Sequence, residues 1–203
     1  NPAIPGGGIA GESKSRILAG LGGTPDHVAR WTQLPITASL DERLAQVDAI
    51  VADCHLSWPL VLKPDVGERG TGVAIVRDRD QATRFLDRAE GDVIAQEFVP
   101  GVEYDVLWEW HPDEPHGRIT SITIKRPPVV VGDGRRTLLE LILADDRHAC
   151  MGATYLRVNE EHLLDVPDVG EERAIARLGN HCLGSLFLDG KTLRTPELDA
   201  ATR

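Results

Sequence analysis

The chain has 203 residues, 41% of them hydrophobic and 27% charged, enough to bury a core as one domain or as two small lobes. Its formal net charge of −10, with no block of lysine or arginine, excludes binding to nucleic acid or to an anionic membrane by bulk electrostatics. Any anion the chain binds must therefore meet a local basic cluster.

No apolar run approaches the ~20 residues of a membrane span, and no signal-peptide pattern opens the chain, so a cytoplasmic protein is expected. Cys54, Cys150 and Cys182 lie far apart without a C-x-x-C pattern, which fits a reducing compartment and no zinc site. The histidines form no H-E-x-x-H, and His111 and His116 bracket Pro112 and Pro115 in what reads as a hairpin loop.

In chain order, "GGGIAGESKS" comes first. Gly6 and Gly11 have the separation of a P-loop, but Glu12 and Ser13 are wedged before Lys14. The preceding Asn1 to Pro5 is too short and too proline-broken for the strand such a loop follows. Ser13 is better placed to cap a short helix running to about Leu21, closed by "GLGGTP". A second helix follows Ser39, where Ser39 and Glu42 form a capping box and Leu40, Leu44, Val47 and Val51 recur at helical spacing.

"WPLVLKP" then reads as a buried strand ending in Lys63 and Pro64, and "DVGERGTG" as a glycine turn leading into a second strand, "VAIVRD". Asp78 and Gln81 open another helix with Ala82, Phe85, Leu86 and Ala89 on one face. "DVIAQEF" is a strand and Pro100-Gly101 a break. "VEYDVLWEW" is a long alternating strand that places Val102, Tyr104, Val106 and Trp108 on one side, with "RITSITIK" returning as its hairpin partner. A turn at Asp133-Gly134 precedes a helix opened by the box Thr137 and Glu140. From about residue 146 onward short strands and turns are expected, with a helix-like start at "LDAATR".

The chemistry concentrates in "PLVLKPDVGERGTGVAIV". Alternation puts Lys63 on the face of Val61, away from Leu60 and Leu62. A few residues on, Gly67, Gly70 and Gly72 let backbone N–H groups approach an anion, and Thr71 adds a hydroxyl. This is a workable phosphate clamp; the plain alternative is a hairpin turn with a surface lysine. In "IAQEFVPGVEYDV" the main chain near Glu97 to Val99 can read a purine edge, and Glu103 can accept ribose hydroxyls. Val61 and Phe98 are candidates to sandwich the base.

Together and in this order, V-L-K-P, G-E-R-G-T-G-V and Q-E-F-V-x-G-x-E-Y-D resemble the ATP-grasp fold. "KRPPVVVGDGRRTLLELI" is similar to the stretch that follows the hinge in members such as the cyanophycin-synthetase-like and D-alanine–D-alanine-ligase-like enzymes. The resemblance covers residues 9 to 198. It implies an α+β chain of two subdomains with a nucleotide site between them. A leading loop and short helix would occupy residues 1–24, the small lid subdomain 25–98, and the truncated large subdomain 99–203.

The resemblance also implies the site: Lys14, Lys63, Gly70, Thr71, Gly72, Gln96, Glu97, Phe98, Val99, Glu103 and Lys125 as nucleotide contacts. Lys14 holds the place of an upstream phosphate-binding lysine, the next lysine being Lys63. Lys125 shares the face of Ser121 and Thr123 and resembles a third basic contact, a role its neighbour Arg126 also fits.

The implied activity is an ATP-dependent ligase that joins small-molecule carboxylate and amine substrates through an acyl phosphate, with Mg²⁺. No protein nucleophile is required, and Cys182 in "GNHCLGS" shows no sign of activation. The family's E-x-N metal motif has no convincing counterpart; Asn159-Glu160-Glu161 has the residue types in the wrong order. The chain is thus expected to be an excised fragment, with metal ligands beyond Arg203 and no turnover of its own. Two alternatives remain open at this point: a non-catalytic ATP-grasp-like nucleotide-binding or interaction module, and an unrelated α+β protein.

Overall fold

A computed structural model describes residues 11–22, 25–67, 70–176 and 183–202 of the chain. The chain is a mixture of helix and antiparallel sheet, α+β as expected, and divides into two units, residues 1–100 and 101–203.

The first unit is built on β1 (Trp31–Leu34), β2 (Leu60–Pro64), β3 (Ala74–Val76) and β4 (Val93–Glu97), ordered β1-β4-β2-β3. All their pairings are antiparallel. Helices α2 (Leu40–Asp53) and α3 (Arg79–Asp87) supply the other layer. The Ser39 and Glu42 capping box forms in full, satisfying amides at the start of α2 that the helix itself leaves unpaired. Asp78 caps α3 by accepting from the Gln81 N–H. Leu60 and Leu62 from β2, Val93 and Ala95 from β4, and Leu34 and Val76 pack with Leu44, Val47, Ala82 and Leu86 in one core. Each such aliphatic side chain, fully withdrawn from water, contributes roughly 1.5–3 kcal/mol.

Because successive strand residues alternate, that core turns Val61 and Lys63 to the opposite face of the sheet. The register places Val61 beside Gln96 and Lys63 beside Ile94 on the same face. A short helix α1 (Lys14–Gly20) precedes the sheet, with Ser13 accepting from the Arg16 N–H.

The second unit contains the sheet β5 (Tyr104–Glu109), β6 (Arg118–Arg126) and β9 (Leu186–Asp189), again antiparallel, and the pair β7 (Val129–Val131) and β8 (Glu172–Ala174). The hairpin β5-β6 forms as expected, with one difference: the register shifts between Leu107 and Trp108. That irregularity breaks the simple alternation that would align Trp108 with Val106. Helix α4 (Leu138–Ala144) opens with the complete Thr137 and Glu140 box.

In the tail the short strands β8 and β9 form as expected and α7 (Pro196–Ala201) takes in the helix-like start at "LDAATR", but two further helices, α5 (Asp146–Cys150) and α6 (Gly152–Val158), were not expected. Helices of five to seven residues are too short for hydrophobic periodicity to reveal, and packing decides them: Tyr155 of α6 joins Val130, Leu138, Ile142 and Ile175 in a second core. Among the described residues no helix is long and apolar enough to cross a membrane.

Candidate functional site

β2 delivers Lys63 at its penultimate position, on the face away from the core. Its ammonium donates to the Gln96 side chain from β4, the one hydrogen bond of this ammonium among the described residues. No described carboxylate stands within ion-pair distance of it. Burial, followed by repulsion from the Lys14 ammonium, pushes the Lys63 pKa below that of an ordinary lysine. Among the described residues the Lys63 charge thus has a second ammonium beside it and no carboxylate paired with it.

After β2 the chain enters the glycine turn. Gly70 and Gly72 have φ of 77° and 72°, the left-handed region where a Cβ is costly, and a Cβ on Gly72 would lie 2.8 Å from the Pro64 ring. The Val73 N–H donates to the Gly70 carbonyl, and Thr71 is exposed between them. Glu68 and Arg69 lie outside the described residues, as do Gly6 to Ala10 and Cys182.

Lys14 reaches this turn across fifty residues of sequence. Its ammonium donates to the carbonyls of Pro64 (3.0 Å), Asp65 (3.1 Å) and Gly67 (2.9 Å). Its main-chain N–H donates to the Asp65 carbonyl, and the Ser15 N–H donates to the Asp65 carboxylate at 2.7 Å. Asp65 is 6% exposed and Ser15 7% exposed, so this joint is buried. Burial lowers the Lys14 pKa, and the charge of Asp65 opposes that shift. The structure therefore brings Lys14, Lys63, Gln96 and the glycine turn together.

At the end of β4, Glu97 turns back on the chain. Its N–H donates to the Arg30 carbonyl and its carboxylate accepts the Arg30 N–H. The last ladder pair is Leu60 with Glu97, so the main chain of Phe98 and Val99 lies past the paired part of the strand; Phe98 is half-buried and Val99 is 64% exposed.

Glu103 and Lys125 meet in the second unit. The Lys125 ammonium lies 2.6 Å from Glu103 and 2.9 Å from Asp105, all on one face of the β5-β6 hairpin. Burial opposes the charge on Lys125, but the hydrogen bonds and charges of Asp105 and Glu103 outweigh it and raise the pKa. Asp105 was not among the sequence candidates, although strand alternation two residues after Glu103 is the signal that finds it. Asp65 and Ser15 were also missed, and no local pattern marks them.

A cavity of about 740 Å³ is lined by Pro64, Asp65, Val66, Gly72, Phe85, Arg88 and neighbouring residues. Neither Lys63 nor Gln96 lines it, whereas Pro64 and Asp65, which accept from the Lys14 ammonium, do. Asn159, considered beside Glu160 and Glu161 for metal binding, donates its side-chain amide to the Tyr155 and Ile175 carbonyls.

No protein-family profile matches the chain. Two curated relatives do, the cyanophycin synthetases of Trichormus variabilis and of a Nostoc species, each 28% identical over 135 residues. The match takes in 64% of this chain but 13% of either relative. The chain resembles an ATP-grasp ligase. Among solved structures, the D-alanine–D-alanine ligase of Bacillus anthracis is similar over 60% of this chain and 36% of its own, with 21% identity and a TM-score of 0.45. The bifunctional glutathione synthetase of Pasteurella multocida covers 86% of this chain and 25% of its own, at 16% identity and a TM-score of 0.40. The curated relatives are synthetases, the general kind of enzyme implied by the ATP-grasp motifs.

Proposed function

We propose that this chain binds ATP as part of an ATP-dependent ligase that joins a carboxylate to an amine. The observation that carries the reading is Lys63: a partly buried ammonium held by Gln96, with no carboxylate within ion-pair distance among the described residues and a depressed pKa, beside a turn with two glycines at positive φ. A triphosphate supplies the missing anion. Its arrival favours the charged form of Lys63 and restores the pKa that burial and Lys14 depress.

In this reading a substrate carboxylate oxygen attacks the γ-phosphorus, ADP leaves, and an acyl phosphate forms. The amine then attacks the acyl carbon, phosphate departs with the bonding pair, and the amine loses a proton. The chain's own residues act by position and charge: Lys63 and the amides around Gly70, Thr71 and Gly72 hold phosphate oxygens, and Val61 and Phe98 offer apolar surface to the base. The main chain at Glu97 to Val99 offers polar groups to the base edge, and Glu103 accepts ribose hydroxyls. Lys125 is assigned a phosphate contact, for which it must exchange one of its two carboxylates. Mg²⁺ would supply further charge neutralisation to such a reaction. Among the described residues no group of three or more His, Cys, Asp or Glu is placed to hold a metal ion.

The test is thermal unfolding with Mg-ATP and Mg-GTP for the wild type and for Lys63→Ala. A ligand bound only by the folded state adds about 2.7 kcal/mol at a hundredfold excess over its Kd, a shift of several degrees. An ATP-selective shift that is lost in Lys63→Ala supports the reading. No shift in the wild type overturns it, and ATP binding without ligation by the longer protein favours the non-catalytic module instead.

A further inference from the structure

Lys14 has an arrangement that the ligase reading does not explain. An ammonium carries three N–H donors and no acceptor. All three are matched by carbonyls, those of Pro64, Asp65 and Gly67, at distances of 2.9 to 3.1 Å. These carbonyls lie within four consecutive residues at the entry of the glycine turn. Hydrogen bonds from a charged donor are about twice as strong as neutral ones, so three on one nitrogen form a joint rather than an incidental contact. The same stem is gripped twice more from α1: the Lys14 N–H donates to the Asp65 carbonyl and the Ser15 N–H to its carboxylate.

We infer that Lys14 is a positioning residue, a staple whose ammonium gathers the carbonyls at the entry of the glycine turn and so sets the conformation in which the turn meets a polyphosphate. In a trans peptide the N–H points opposite to the preceding C=O, so drawing the Asp65 carbonyl toward Lys14 turns the Val66 N–H the other way. A stem with its carbonyls collected on one side presents less negative potential on the other, where an anion must approach. The inference deepens the ligase reading and rests on it only for the identity of the ligand. A lysine that instead contacted phosphate directly would have to give up at least one of these carbonyls.

Hydrogen exchange in nucleotide-free protein separates the two roles. Lys14→Met keeps the apolar stem of the side chain and removes all three donors. The staple predicts exchange about tenfold faster at the Asp65 and Val73 amides, which donate to the Asp92 and Gly70 carbonyls, with α2 and α3 unchanged. Lys14→Arg, with a flat fork in place of a compact ammonium, restores this protection only in part. Asp65→Asn, which keeps every carbonyl but weakens the grip on the Ser15 N–H, predicts a smaller rise of about threefold and serves if Lys14→Met does not fold. Unchanged exchange in Lys14→Met, or in Asp65→Asn where only that variant folds, overturns the staple. Loss of ATP binding in Lys14→Met with unchanged exchange does so too, because it marks a direct phosphate contact. If wild-type protein shows no ATP shift yet Lys14→Met loosens the turn, the staple stands and the ligase reading falls.

Discussion

Lys63 in the first unit and Lys125 in the second occupy similar places, near the C-terminal end of an antiparallel strand and turned to its polar face, yet their electrostatics are opposite. Lys63 has an amide oxygen for a partner and a second ammonium as its charged neighbour, and its pKa falls. Lys125 has two carboxylates within 3 Å and its pKa rises. The difference teaches which lysine is prepared for an anion. A charge already neutralised gains little from a phosphate and must release a partner first, whereas an unneutralised charge gains the full interaction. The same residue type at the same kind of position thus lacks a described carboxylate partner in one unit and joins an ion-pair cluster in the other.

The largest effect available for testing the second unit is steric. Gly184 has φ of 81°, and a Cβ there would sit 1.8 Å from the Tyr155 hydroxyl, whose ring is 1% exposed and which donates to the Leu183 carbonyl. The ring cannot swing into solvent, so Gly184→Ala combines left-handed strain, overpacking and a lost hydrogen bond. A loss of about 2–4 kcal/mol is expected, read as faster exchange over α4 and α6. Gly72→Ala, facing the edge of the Pro64 ring at 2.8 Å, is expected to cost the first unit less, about 1–2 kcal/mol. Equal losses at the two glycines would show that backbone strain alone sets both.

The lysines themselves come next. Lys125→Met leaves Glu103 and Asp105 facing each other, but both are about half exposed, so screening limits the cost to about 1 kcal/mol. Lys63→Met removes a desolvated charge with no described carboxylate beside it and is expected to leave stability unchanged or raise it by up to about 1 kcal/mol. Their pH dependences differ in sign. The raised pKa of Lys125 means that its stabilisation is present below the ordinary value of 10.5 and is lost as pH rises through the folded value. The lowered pKa of Lys63 means that the unfolded chain binds more protons there, so the cost of Lys63 fades as pH rises from the folded value to 10.5. Denaturant unfolding between pH 8 and 11 should give difference curves of opposite slope for the two variants; parallel curves would remove the contrast.

How much of this was legible follows from the range of each interaction. The capping boxes at Ser39 and Thr137 were readable because donor and acceptor lie three residues apart, and the Lys63 face because alternation along β2 is local. Both hairpin strands were readable, but the register shift at Leu107 and Trp108 was not, since nothing in "VEYDVLWEW" marks it. The joint of Lys14 to residues 64–67 lies beyond any local pattern: the resemblance implied a phosphate-binding lysine near the nucleotide, and only the fold shows that its donors go to carbonyls. Helices α5 and α6 were missed because five and seven residues give too few turns for a period, whereas α7 was signalled by its helix-like "LDAATR", with Thr195 before Pro196 as the start that the structure uses.

Asp133 carries the comparison from lysines to carboxylates, with the smallest effect. It is only partly buried, yet its pKa drops from 3.8 to about 2, first through the Arg136 main-chain N–H, then the Arg136 side chain, then the Arg135 N–H. One carboxylate oxygen accepts both main-chain N–H groups, at 3.0 and 2.8 Å, and the other accepts from the guanidinium at 2.7 Å. A depressed carboxylate stabilises above its unfolded pKa, and that contribution is lost as pH falls through the folded value, here between about 4 and 2. An NMR titration of the Asp133 carboxyl carbon should therefore have its midpoint near 2. Arg136→Gln removes the guanidinium but keeps the amide, so the midpoint should rise only part of the way toward 3.8. A full return to 3.8 would assign the shift to the side-chain ion pair and not to the backbone turn, and this carboxylate would then follow the same rule as Lys125, with its charge set by its paired side chains alone.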